Sequence, residues 1–110
     1  MTDRELLESA ARAAGMIPRE FIGNQNYMDG VLDKWRPLED DGDALRLLTS
    51  LPFRELYVSE IGATVSWRRD DGNGHGFKCD EYASEHNGDL NAATRRAITR
   101  AAAAIGEKVK

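Results

Sequence analysis

At 110 residues the chain has the length of one domain, 1–110, with room for a single core. Its hydrophobic fraction of 41% and charged fraction of 31% are those of a folded globular protein, and a net charge of −4 argues against a general binder of nucleic acid or anionic membrane. One cysteine excludes an intrachain disulfide, and no apolar run approaches membrane-spanning length. With no N-terminal signal pattern, the expectation is a cytoplasmic protein.

In chain order, Thr2 to Gly15 predicts a helix. Thr2 and Glu5 have the spacing of a capping box, Met1 and Leu6 that of a hydrophobic staple, and Gly15 is placed to end the helix ahead of Pro18. Residues 16–37 hold too many apolar side chains for a solvated linker. Gly23, Asn24, Asn26 and Gly30 interrupt any long helix, so the expectation is an irregular packed segment with short extended pieces near 20–22 and 30–35. A structureless run of this length is unusual in a compact domain and sometimes functional, which makes it the first place to look for a binding surface. Pro37 forbids helix through Trp35–Pro37. Asp40 or Asp41 then caps a helix whose stripe is Ala44, Leu47, Leu48 and Leu51, stopped by Pro52.

Beyond Pro52 the apolar period changes from helical to alternating. Leu56 and Val58 share one face; Ala63, Val65 and Trp67 share another run's face, with Gly62 in the turn between them. Residues 69–76 read as a turn-rich loop, and Phe77 to Tyr82 as a third strand with Phe77, Cys79 and Glu81 on one side. These predict a three-stranded antiparallel meander, which requires helices against it for stability. Asp89 or Asn91 caps a final helix ending at Gly106. Leu90, Ala93, Ala97, Ile98, Ala101 and Ile105 form its apolar face, and Arg95, Arg96, Thr99 and Arg100 the polar one. The charge is uneven: residues 1–90 carry ten Lys/Arg against eighteen Asp/Glu, a balance of −8, whereas residues 91–110 carry five against one, a balance of +4.

Three pieces carry a family resemblance: T-D-R-E-L-L-E-S-A-A-R-A-A-G at 2–15, W-R-P-L-E-D-D-G-D-A-L-R-L-L at 35–48, and A-A-T-R-R-A-I-T-R-A-A-A-A-I-G at 92–106. Together they resemble the phage ABA sandwich domain family, small phage and prophage proteins without an assigned biochemical function. Arg36 stands where the family pattern has Asn, and Leu48 where it has Ala. The resemblance implies an α+β fold, a three-layer α–β–α sandwich in which three helices pack a small antiparallel meander. It transfers no catalytic or ligand residues.

No catalytic, cofactor or metal set is predicted. Glu39, Asp40, Asp41 and Asp43 lack calcium-loop spacing and read as a helix cap with a solvated acidic turn. His75, Cys79 and His86 match no zinc spacing, and Cys79 reads as a small buried hydrophobe. Asp70 to Gly76 has no phosphate-loop lysine and reads as a wide hairpin loop. Trp67 reads as core, and Trp35 is open between core and a stacking role. The candidate partner-binding residues are Arg95, Arg96 and Arg100, a basic stripe suited to phosphates or an acidic partner, and otherwise a solvated helix face. The expected function is that of an uncharacterised phage or prophage accessory protein binding a host or phage protein. The alternative is association with nucleic acid through the basic C-terminal helix.

Overall fold

A computed structural model describes residues 2–51, 55–68 and 76–107. Four helices and one sheet follow in the order α1 (Asp3–Ala13), α2 (Gln25–Lys34), α3 (Asp41–Ser50), β1 (Glu55–Ser59), β2 (Gly62–Arg68), β3 (Gly76–Tyr82) and α4 (Leu90–Gly106). Short 3-10 turns at Arg19–Phe21 and Ala83–His86 precede α2 and α4. The fold is α+β, with a three-stranded antiparallel sheet ordered β1-β2-β3 and helices packed against it.

The helix ends follow from local chemistry. Thr2 Oγ1 accepts the Glu5 N–H at 3.1 Å while Glu5 Oε1 accepts the Thr2 N–H at 3.4 Å, the reciprocal capping box that the spacing predicts. Gly15 follows α1 at φ +71°, a conformation that costs a glycine little. Asp40 caps α3 by accepting the Asp43 N–H at 3.2 Å. The stop assigned to Pro52 and the staple assigned to Met1 lie outside the described residues, as does the loop at 69–75 with His75.

Residues 16–37 are more regular than expected. The segment is a 3-10 turn and then helix α2, not extended pieces. Asn24, read as a breaker, is the cap: its Oδ1 accepts the Tyr27 N–H at 3.1 Å. Phe21 stacks on Tyr27 with centroids 4.7 Å apart and planes 4° apart, holding the turn against the helix. Gly30 costs such a helix about 1 kcal/mol, a sum that burial of Met28 and packing of Val31 and Leu32 outweigh. Trp35 then ends α2 in an extended conformation and is itself buried, so it belongs to the core.

The core lies between the sheet and α4. Val65, Ala63 and Trp67 of β2 point inward, with Leu56 and Cys79 beside them, and meet a helix surface made largely of alanine. Small side chains let α4 lie close to β2 and β3 and let α1 and α3 lie close to α4. At the α1–α4 contact a Cβ on Gly106 would stand 1.7 Å from the Ser9 carbonyl oxygen, so only glycine fits. Gly62 has a similar reason: a Cβ there would stand 2.1 Å from the Glu81 carbonyl oxygen, and it opens β2 because it leaves space, not because it turns the chain. The α4 surface is not divided as expected. Thr99, read as part of a polar face, is fully buried, with its hydroxyl donating to the Arg95 carbonyl at 2.8 Å. A helix packed by neighbours on several sides has little solvated face to give it.

Of the three layers that the resemblance implies, the described residues show the sheet with helix against one of its faces. The other face presents Tyr57, Lys78 and Tyr82 to solvent, with Thr64 donating to Asp80 across the strands.

Candidate functional site

Two of the candidate arginines, Arg96 and Arg100, lie one turn apart on one side of α4 and both reach toward Glu81, whereas Arg95 points toward α3; each meets acceptors from another element. Arg95 Nε donates to the Leu38 carbonyl at 2.9 Å and its guanidinium pairs with Asp41 at 2.6 Å, tying α4 to the start of α3. Arg96 pairs with Asp3 of α1 at 2.9 Å. Arg100 donates to the Asp80 carbonyl at 2.9 Å and forms a direct ion pair with Glu81 on β3. Each of the three arginines at 95, 96 and 100 is paired with a carboxylate of the same chain. The pairing distributes three cations among the acidic body that the charge imbalance pointed to.

Glu81 is the centre of this arrangement and was not singled out by sequence reasoning beyond its place on the inward face of β3. It is buried to 7% exposure. Besides Arg100, its Oε1 lies 2.9 Å from His86 Nε2 and 3.8 Å from Arg96 Nε. A carboxylate at such depth requires paired charges and hydrogen bonds, which these three groups supply. The turn Ala83–His86 brings the histidine there. The Tyr82 N–H donates to Glu85 at 3.1 Å, Asn87 takes a left-handed φ of +57°, Gly88 follows at +83°, and Asp89 caps α4 through the Ala92 N–H at 3.1 Å. The one legible sign was a glutamate at an inward strand position beside an arginine-bearing helix.

Of these groups, Arg96 and His86 also border a cleft of about 470 Å³ between α1, the end of α2, the turn before α3, and α4. Leu7, Leu32 and Leu38 give it apolar walls; Arg36, Arg96 and His86 also line it, with Asp3 and Glu39 at the same opening. The acidic turn before α3 does what its capping reading says. Asp43 accepts the Arg36 N–H at 2.9 Å and pairs with Arg46 at 2.6 Å, and both hold its carboxyl below the usual carboxylate range. Cys79 is half-buried on the inner face of β3, and burial pushes its thiol up, as suits a small hydrophobe and not a nucleophile.

A second surface lies at the β1–β2 end of the sheet. β1 is an edge strand, and Tyr57 at 65% exposure, Val58, Ile61 at 69% exposure and Tyr82 stand in solvent around the two-residue turn that joins it to β2. The Ala83 N–H donates to the Ile61 carbonyl at 2.8 Å, so turn and β3 end are held together. On the segment 16–37, an open apolar depression of about 610 Å³ is lined by Met16, Tyr27, Val31 and Trp35.

Compared with family models, curated proteins and solved structures, the chain matches none. Among the described residues no helix is long and apolar enough to cross a membrane.

Proposed function

We propose that the chain is a small accessory protein of phage or prophage origin that works in the host cytoplasm by binding another protein and not by catalysis. The observation that carries the binding reading is the exposed Tyr57 and Tyr82 on the open face of the sheet, with exposed Ile61 in the turn beside edge strand β1. Exposed aromatic and aliphatic side chains in one region mark interaction surfaces, and tyrosine is enriched at the centres of interfaces. An edge strand adds unpaired backbone donors and acceptors, which natural sheets usually protect when no partner covers them. Nucleic acid is the weaker reading, because Arg95, Arg96 and Arg100 each face a carboxylate of the same chain.

A photo-reactive side chain placed at position 57 or 61 tests this. The expected result is one discrete crosslinked product in host cells, lost when Tyr82 is changed to Ser, and absent when the probe stands at exposed position 46 of α3. Identical product patterns from 46 and 57 would overturn the reading.

A further inference from the structure

We propose that the cleft between α1, the turn before α3, and α4 is a binding site for a small monocarboxylate with an apolar body. Two arginines from separate elements, Arg36 and Arg96, line it together with His86. Its volume of about 470 Å³ lies in the usual range of small-molecule sites, roughly 300–1,000 Å³.

Arg96 is positioned from behind. Its Nε faces buried Glu81 at 3.8 Å, and Glu81 is itself fixed by Arg100 and by His86 Nε2. Such support holds a guanidinium in place before a ligand arrives. At the opening the two arginines meet carboxylates already: Arg96 holds Asp3 at 2.9 Å, and Arg36 holds Glu39 at 3.5 Å. Both carboxylates are well exposed, at 67% and 72%, so their ion pairs contribute little and water accepts either at small cost. They stand where a ligand carboxylate would stand, and mark the chemistry that these arginines recognise. The walls of Leu7, Leu32 and Leu38 take an alkyl or aryl body. A carboxylate replaces Asp3 or Glu39 charge for charge. A phosphate dianion would instead bring excess negative charge beside Asp3, Glu39 and Glu81. This site is separate from the sheet-edge surface and stands or falls independently of it.

The test is titration of the full chain with octanoate, octyl phosphate and 1-octanol, followed by amide chemical shifts. Octanoate is expected to bind saturably, with shifts centred on Leu7, Leu38, His86 and Ala92. The alcohol should bind at least about tenfold more weakly, as expected for loss of a charge-assisted hydrogen bond. Arg36→Gln should weaken octanoate by roughly tenfold, and it leaves the fold intact because the tie from the Arg36 backbone N–H to Asp43 remains. Glu39→Gln should tighten it severalfold by removing the competing carboxylate. Equal affinity for acid and alcohol, shifts centred on Tyr57 and Ile61, tighter binding of octyl phosphate, or no saturable binding of octanoate would each overturn the proposal.

Discussion

Single residues set the spacing between elements in this protein. Gly106 is the clearest case, since an added Cβ meets backbone and not a side chain that can rotate away. Gly106→Ala should therefore destabilise by about 1–3 kcal/mol, in the range of overpacked sites, although alanine is the better helix former. Urea denaturation measures this, and an unchanged midpoint would mean that α1 and α4 tolerate separation. Asp43 offers a second case. Its carboxyl is depressed by the Arg36 N–H and by Arg46, so its stabilisation is present above the unfolded carboxylate value near ~4 and is lost as pH falls through the lower folded value. Asp43→Asn should cost about 1 kcal/mol at neutral pH. The gap from wild type should close only on the acid side of that range. A gap that persists unchanged to the lowest pH at which the fold survives would separate the effect from the carboxylate charge.

At the scale of elements, the turn before α3 and helix α4 hold the rest. Trp35 and Leu47 are both buried, the first closing α2 and the second facing inward from α3. Replacing either with alanine should destabilise by about 2–5 kcal/mol through lost burial and the cavity left behind. Thermal or urea midpoints check this. Glu81→Ala should cost about 2 kcal/mol or more, because it leaves Arg100, Arg96 and His86 without their shared acceptor. Glu81→Gln should recover only the part carried by hydrogen bonding, and equal stabilities for all three proteins would remove Glu81 from the network's centre. Helices α1, α3 and α4, the strands and the strand order were legible because capping residues and apolar periods act locally. α2 was hidden because Asn24 and Gly30 resemble breakers until the packing of Met28 and Phe21 is known. The cleft was hidden for another reason: Arg36, His86 and Arg96 come from three separated stretches, and only the closure of α4 onto α1 brings them to one opening.

For the whole molecule, the three arginines bind the chain to itself. Arg95 reaches α3, Arg96 reaches α1 and Arg100 reaches β3. The expectation is weak, salt-sensitive association with duplex DNA, in the non-specific range of roughly 10⁻⁴ to 10⁻⁶ M at physiological salt or weaker. Changing Arg95, Arg96 and Arg100 together to glutamine should lower stability more than it alters any DNA affinity, because it removes the partners of Asp41, Asp3 and Glu81. Fluorescence titration of labelled duplex at two salt concentrations, alongside denaturation of the triple variant, distinguishes the two effects. Submicromolar binding at about 150 mM salt that disappears in a stably folded triple variant would make these arginines a nucleic-acid surface after all.

The placement of α4 also bears on the order of events during synthesis. Bonds from Arg96 to Asp3 and from Ser9 to Glu107 join residues 93 and 98 positions apart. The helix on which α1, α3 and the sheet all converge is translated after every one of them. Until it emerges, the meander has an uncovered apolar face and α1 has no surface to close on. Such distant closures carry a loop-entropy cost that must be met before any contact rewards them. Up to residue 89 the chain therefore carries apolar surface on α1 and on the sheet whose cover lies in the stretch made last.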